Sequence, residues 1–158
     1  MAQIAKISEQ VQLKSCGQKF YDHFANKMDR FAHLFPQNLK GYEFVEGNGF
    51  THGSVMYWIY YWFVFGQNTG IPAEVKTRLM VDEPNKSITF ECVEGDLLKD
   101  FEVFQVRVEV TDGGNSGMSS VRWCMEFVKK NEDVPSPHNY LQFGVKVCKG
   151  LDAYLSNK

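Results

Sequence analysis

The sequence predicts an α+β fold in which a curved antiparallel sheet surrounds one long C-terminal helix. Short segments of alternating apolar and polar residues follow one another along the chain, separated by turns rich in Gly, Asn and Asp. Apolar residues recur at helical spacing in two short segments near the N-terminus and in a long segment at the C-terminus. Strands in series with helices gathered on one side are typical of α+β proteins. The 158 residues suffice for a single domain over 1–158.

The N-terminal region predicts a strand and a short helix. Residues alternate between apolar and polar from Ile4 to Leu13, which indicates the strand. Ser15 is suited to capping the helix that follows, in which Phe20, Tyr21 and Phe24 recur at helical spacing.

A second short helix is predicted from Met28 to Leu34, because Pro36 stops it. The strand Leu39–Glu46 comes next and enters the loop EGNGFTHGS. This loop lacks the lysine of a phosphate-binding loop, so its glycines indicate a tight connection between strands. His52 is therefore expected to be a loop residue rather than a catalyst.

Five further strands complete a predicted sheet of seven. The turn sequences GQNTG, DEPNK, EGD and TDGGNSG separate them, and Gly66 and Gly70 are expected to supply the unusual backbone angles of the first turn. The predicted strands are Val55–Phe65, Val75–Val81, Ser87–Val93, Leu98–Val110 and Met118–Val128.

The C-terminal helix is predicted from His138 to Leu155, after Pro135 and Pro137 end the sheet. One face is apolar and is expected to pack on the sheet. This face comprises Tyr140, Gly144, Val147, Leu151 and Tyr154, with Leu141, Cys148 and Leu155 beside them. The residues expected to face away are Lys146, Lys149 and Asp152.

Composition excludes several classes of function. The apolar run Val55–Phe65 has 11 residues, whereas a membrane-spanning helix needs about 20. The formal net charge is -2 and no stripe of Lys and Arg occurs, which argues against binding to nucleic acid. The N-terminus has no apolar signal-peptide core, and the four cysteines lack metal-ligand spacing. A soluble, reduced protein without a metal site is expected.

Five stretches of the chain, in their order and spacing, resemble one family, the plant major latex protein-like branch of the Bet v 1 and pathogenesis-related class 10 proteins. They are EGNGFTHGSVMYW, VDEPNKSITF, VEGDLLKDFEVF, VRWCMEF and NEDVPSPHNYLQF. The resemblance implies a helix-grip fold, in which a seven-stranded sheet, two short helices and the C-terminal helix enclose an apolar cavity. It also implies a cytoplasmic protein without a cofactor. The implied ligands are small hydrophobic plant metabolites such as steroids, phytohormones, flavonoids, alkaloids or terpenoids.

The sequence departs from the family at one hairpin. Relatives usually carry a D-G-K-type turn after the aromatic strand, where this chain has FGQNTG. Their next strand often carries Lys-Glu, where this chain has Lys76 and Thr77. The mouth or wall of the cavity near this hairpin is therefore expected to be specialised.

Strand and helix periodicity predict which side chains line the cavity. The predicted lining comprises Phe24, Met56, Trp58, Tyr60, Trp62, Ala73, Val75, Ile88, Phe90, Cys92, Val106, Val108, Trp123, Met125, Phe127, Tyr140, Phe143, Gly144 and Val147. The candidate polar groups are Tyr60, Cys92, His138 and Tyr140, of which Tyr60, His138 and Tyr140 are also the candidates for catalysis.

Two functions fit such a cavity. The first is a non-catalytic carrier or sensor of a hydrophobic metabolite. The second is a cofactor-independent cyclase or isomerase of a reactive terpenoid or alkaloid intermediate, in which the cavity excludes water and a Tyr or His transfers a proton. The catalytic set of norcoclaurine synthase relatives cannot be mapped onto this chain, and both functions stay open, with the carrier ahead.

The opposite face of the aromatic strand carries Tyr57, Ile59, Tyr61 and Phe63. Outward residues of a half-exposed antiparallel strand are normally polar. An aromatic patch of this kind predicts a homodimer or a docking surface for a partner protein. The alternative is that the neighbouring hairpin or long side chains cover it.

Overall fold

The structure is a computed structural model that describes residues 4–26, 39–47, 52–64, 67–113 and 118–156. Within these ranges, a 3-10 turn lies between two strands and one α-helix lies near each end of the chain. The elements are β1 (Ala5–Gln12), α1 (Gly17–Asn26), β2 (Leu39–Glu46), β3 (Val55–Val64), β4 (Gln67–Asp82), β5 (Ser87–Gly95), the 3-10 turn (Asp96–Lys99), β6 (Phe101–Thr111), β7 (Ser120–Lys129) and α2 (His138–Ser156).

The seven strands form one antiparallel sheet in the order β1-β7-β6-β5-β4-β3-β2. Strands β2 to β7 pair in sequence order, and β1 pairs with the outer edge of β7. The predicted fold class is therefore confirmed. The predicted helix from Met28 to Leu34 lies outside the described residues. Neither of the described helices has both the length and the apolar content that crossing a membrane requires.

Alternation along the strands sets the inner face of the sheet as predicted. On β3, Met56, Trp58 and Tyr60 are buried, whereas Tyr57 and Ile59 between them are only half-buried. The hydrophobic core lies between this inner face and the two α-helices.

β4 is longer than predicted, and the predicted GQNTG turn is wrong. The strand begins at Gln67 rather than Val75, because Gln67 already pairs with Val64 of β3. Pro72 lies within this extension and cannot donate a backbone hydrogen bond. It is tolerated because β4 pairs with β5 only from Val75 onwards, so one edge of the strand has no neighbour at Pro72.

β6 begins at Phe101 rather than Leu98, because the preceding residues form the 3-10 turn. The Asp96 carboxylate accepts a hydrogen bond of 2.8 Å from the backbone N–H of Glu74. It also forms an ion pair of 2.8 Å with Lys99. These contacts hold the 3-10 turn against β4. Strand periodicity alone does not predict such a turn.

Asp152 in α2 is buried, contrary to the prediction that it faces away from the sheet. Only 6% of its surface is exposed. Its carboxylate accepts hydrogen bonds from the backbone N–H groups of Lys14 and Ser15, each at 2.9 Å, and from the Ser15 hydroxyl at 2.6 Å. The Ser15 hydroxyl, predicted to cap α1, therefore ties α2 to the segment that follows β1.

The same contacts set the charge state of Asp152. Burial alone would raise the pKa of its carboxyl group, but the hydrogen bonds from Lys14 and Ser15 outweigh burial and lower the pKa below its ordinary value. Since the pKa in the unfolded chain is about 3.9, the carboxylate stabilises the fold above that pH. The stabilisation is lost as the pH falls through the lowered pKa of the folded state.

α2 packs closely on the sheet at Gly144, which lies against Trp123 of β7. A Cβ atom at this position would overlap the indole atoms Cε2, Cδ2 and Nε1 of Trp123. The indole ring therefore packs directly on the backbone of the helix, and glycine is required for this approach.

We expect Asp152→Asn to lower the free energy of unfolding at pH 7 by about 1–3 kcal/mol, because an amide replaces a buried acceptor of charge-assisted hydrogen bonds. The difference from the wild type should begin to shrink below about pH 4, where the carboxyl group of the unfolded chain becomes protonated, and should be lost once the pH is below the lowered pKa of the folded state. Urea unfolding at both pH values measures this. Asp133→Asn, which makes the same change at an exposed position, is the matched control. Equal urea midpoints for the two variants at pH 7 would contradict the assignment.

Candidate ligand-binding cavity

A cavity of about 160 Å³ lies between the inner face of the sheet and the two α-helices. Strands β3 to β7, the 3-10 turn, α1 and α2 all contribute to its wall. The lining residues are Phe24, Trp58, Tyr60, Val75, Thr77, Phe90, Cys92, Leu97, Phe104, Val106, Trp123, Met125, Tyr140, Phe143 and Val147.

The sequence predicts all of these residues except Thr77, Leu97 and Phe104. Thr77 continues the alternation of Ala73 and Val75 along β4, and Phe104 continues that of β6, so periodicity carried two residues further finds both. Leu97 belongs to the 3-10 turn, and its burial has no signal in strand periodicity.

Some predicted lining residues lie elsewhere. Those that are buried without lining the cavity are Met56, Ala73, Ile88, Val108, Phe127 and Gly144. His138 is exposed at the first residue of α2 and is not among the residues that line the cavity. The side chain of Trp62 lies outside the described part of the structure.

Aromatic rings on opposite walls contact one another across the core. The ring of Phe24 in α1 lies 6.2 Å from Phe90 and 6.2 Å from Trp123, in each case edge to face. Phe90 in turn lies 6.5 Å from Trp58. Rings packed at these angles hold one another in place, so the cavity has a largely fixed wall.

Thr77 and Trp58 form a polar pair in this apolar wall. The indole Nε1–H of Trp58 donates a hydrogen bond of 2.9 Å to Oγ1 of Thr77, and both side chains are buried. Thr77 belongs to the Lys76-Thr77 pair near the hairpin that is expected to be specialised, and that specialisation stays a prediction.

Tyr60 and Tyr140 form a second polar pair on facing elements. Their rings meet edge to face at 6.0 Å. Burial, followed by the interaction with Tyr140, raises the pKa of the Tyr60 hydroxyl above its ordinary value. Burial also raises the pKa of Tyr140 to about 12. Both hydroxyl groups are therefore protonated at neutral pH, so they can donate protons or hydrogen bonds but cannot act as bases.

The described lining contains no group that is charged at neutral pH. It includes no Asp, Glu, Lys, Arg or His, and burial raises the pKa of the Cys92 thiol to about 11, which keeps it protonated. The described residues also contain no cluster of His, Cys, Asp and Glu that could hold a metal ion. This wall is suited to neutral apolar molecules.

His52, predicted to be a loop residue, lies in the connection before β3. Its Nδ1 accepts a hydrogen bond of 3.0 Å from the backbone N–H of Val81 in β4. Gly47 and Gly53 on either side both have a φ angle of 88°, which glycine adopts without strain. The loop thus has a structural role in joining β2 to β3.

Comparison with known proteins finds relatives along the whole chain. The family model of the pathogenesis-related protein Bet v 1 family matches residues 2–158. MLP-like protein 28 of Arabidopsis thaliana is 33% identical over 153 residues, which cover 96% of this chain and 44% of that protein. The chain thus spans less than half the length of this relative.

Solved structures share the fold. Ginseng major latex-like protein 151 from Panax ginseng is 30% identical, with a TM-score of 0.83 and coverage of 96% of this chain and 97% of the other. Norcoclaurine synthase from Thalictrum flavum has a TM-score of 0.75 over 98% of this chain and 87% of its own, but it is only 13% identical, so its likeness is one of fold alone. The family match and these relatives together show that the chain belongs to the pathogenesis-related protein Bet v 1 family, in its major latex protein-like branch.

Proposed function

We propose that this chain binds a small, neutral, hydrophobic plant metabolite in the cavity and releases it unchanged. The observation that carries this proposal is the aromatic and aliphatic wall, whose described side chains include none that is charged. Burying apolar ligand surface there contributes about 25 cal/mol per Å² before the cost of association. The family includes ligand-binding proteins, which supports the same reading.

The size of the cavity favours a small ligand. Pockets for drug-sized ligands usually enclose about 300–1,000 Å³, whereas this cavity has about 160 Å³. A compound with one or two fused rings suits this space better than a steroid.

The expected cytoplasmic location stays a prediction.

Filling the cavity tests the proposal. We expect Val106→Trp to reduce retention of hydrophobic compounds from a plant extract at least about tenfold, because the indole would occupy the space that a ligand needs. Val106 lines the cavity on β6. Val103 is 44% exposed on the same strand, so Val103→Trp is the matched control. Mass spectrometry of the retained compounds gives the result.

The outcome that contradicts the proposal is equal retention by the wild type and both variants, since binding would then occur outside the cavity. Circular dichroism of Val106→Trp checks that the variant is folded. The proposal also requires that the retained compound be recovered chemically unchanged.

The second candidate function is a cofactor-independent cyclase or isomerase of a reactive terpenoid or alkaloid intermediate. The observation that favours it is the Tyr60–Tyr140 pair, because two protonated hydroxyl groups in an apolar cavity can donate a proton to a bound substrate. The norcoclaurine synthase fold shows that an enzyme can be built on this architecture. It says nothing of the substrate here.

If the chain is an enzyme, we expect Tyr140→Phe to slow product formation about a hundredfold, the usual contribution of a proton donor. Tyr42→Phe is the matched control, since Tyr42 packs 5.7 Å from Trp58 but does not line the cavity. The readout is the amount and the isomer ratio of products formed from the extract. Identical products with and without the protein would eliminate this candidate.

The outer face of β3 remains a predicted interface. Tyr57 interacts there with Glu74 of the neighbouring strand through its hydroxyl, a hydrogen bond that raises the pKa of Tyr57 to about 12. The side chains of Tyr61 and Phe63 lie outside the described part of the structure. Association through this face, with a second copy or another protein, therefore stays a prediction.

A further inference from the structure

Several polar groups in the wall of the cavity are engaged with other protein groups. The Nε1–H of Trp58 donates a hydrogen bond of 2.9 Å to Oγ1 of Thr77, and both side chains are buried. The Cys92 thiol is directed at the backbone oxygen of Glu94, 3.9 Å away. A thiol sulfur is at most a weak acceptor. These side chains therefore line the cavity without offering a strong hydrogen-bonding group to its contents.

The other polar side chains of the wall are covered. The indole nitrogen of Trp123 lies against Gly144 of α2, and the hydroxyl groups of Tyr60 and Tyr140 interact with each other. Neighbouring atoms cover the indole nitrogen and both hydroxyl oxygens. The described residues thus leave no polar atom exposed at the surface of the cavity.

A wall of this kind excludes water from the cavity. A buried water makes about three hydrogen bonds to polar groups, and the described wall offers it none. Cavities lined only by apolar side chains stay dry, and an engineered one of about 150 Å³ in another protein binds benzene. The cavity here has about 160 Å³. Its size and its wall therefore suit a single hydrocarbon ring.

The same wall penalises a polar group on a ligand. Transfer of a hydroxyl group from water into octanol, which forms hydrogen bonds, costs up to about thirtyfold in partition. Transfer into cyclohexane, which forms none, costs at least about five hundredfold. Because the described wall exposes no polar atom, a ligand's hydroxyl group meets an environment closer to cyclohexane than to octanol.

We propose that the cavity selects a compact hydrocarbon without polar substituents over the same skeleton carrying a hydroxyl, carbonyl or amino group. This inference rests on the proposed function, because it names the chemical class of the ligand. The selection arises from the cost of burying a polar group, and no hydrogen bond between protein and ligand contributes to it. A bound hydrocarbon that becomes oxidised therefore loses affinity for the chain.

Toluene and phenol test this selection, because they have nearly the same shape and differ by a methyl and a hydroxyl group. Headspace gas chromatography above the protein solution gives the dissociation constant of toluene, and displacement of toluene gives that of phenol. We expect the wild type to bind toluene at least about a hundredfold more tightly than phenol at pH 7, where phenol is neutral. Val106→Trp, which fills the cavity, should weaken toluene binding at least about tenfold.

Two further variants place a hydroxyl group in the wall. Val106→Thr changes the wall on β6 and Val75→Thr changes it on β4. Each should lower the ratio of the phenol and toluene dissociation constants about two- to tenfold, because the hydroxyl group of phenol gains a hydrogen-bond partner. Val103 is 44% exposed on β6, so Val103→Thr is the matched control and should leave the ratio unchanged.

A ratio below about a hundred in the wild type, or one that neither Val106→Thr nor Val75→Thr lowers, would overturn the selection. The proposed function would stand in either case, provided that Val106→Trp weakens toluene binding. Phenol bound as tightly as toluene would also overturn the selection, since the Tyr60 and Tyr140 hydroxyl groups would then face the ligand, as the second candidate function requires. If toluene does not bind the wild type, the proposed function itself fails for ligands of this size.

Discussion

The contact between Gly144 and Trp123 determines how the C-terminal helix lies on the sheet. The indole ring of Trp123 packs on the backbone of α2 at a point where any side chain would overlap it. Because a ring and a helix backbone meet there without an intervening side chain, α2 lies close to one side of the sheet, where it packs mainly on β1 and β7. The Asp152 carboxylate holds α2 to the same side of the sheet by accepting hydrogen bonds from Lys14 and Ser15. The helix is thus held along the edge of the sheet where the chain's first and last strands meet.

The other side of the sheet is where space remains. Inward residues of β3 to β6 line the cavity there, together with Phe24 of α1 and residues of β7 and α2. The ring of Phe24 meets the rings of Phe90 and Trp123 edge to face, so the wall resists collapse into the space. The polar side chains of this wall are uncharged. Trp58 pairs with Thr77 and Tyr60 with Tyr140, so the surface that an occupant meets is apolar.

Most of the fold follows from the sequence because alternation and turn residues report the local environment directly. The inward positions of β3 whose side chains are described, and those of β7, are buried as their alternation predicts, and the C-terminal helix begins at His138 as its spacing indicates. The errors arise where a contact distant in sequence decides the structure. Asp152 is buried because its partners, 137 and 138 residues earlier in the chain, present unpaired backbone N–H groups. Residues 67–70 belong to β4 because pairing with β3 outweighs their turn propensity.

In the candidate site too, local sequence patterns predict some features, and contacts distant in sequence decide the others. Its apolar wall follows from periodicity, but the pairing of Trp58 with Thr77 depends on how an indole on β3 reaches over β4, which no local pattern encodes. The start of an apolar helix makes His138 a polar candidate, yet the residue is exposed and does not line the cavity. Leu97 lines the cavity only because Asp96 and Gly95 turn the chain before β6 begins.

The central claim is that close packing of α2 on Trp123 maintains the cavity, and Gly144→Ala tests it most directly. The added methyl group must push the helix and the indole apart, so the free energy of unfolding should fall by about 1–3 kcal/mol, although alanine favours a helix over glycine by about 1 kcal/mol. Retention of hydrophobic compounds from a plant extract should fall in the same variant, and Trp123→Leu in the same chain should restore part of the lost stability, because it removes the overlapping ring. A Gly144→Ala variant that is at least as stable as the wild type and retains these compounds equally well would contradict the claim.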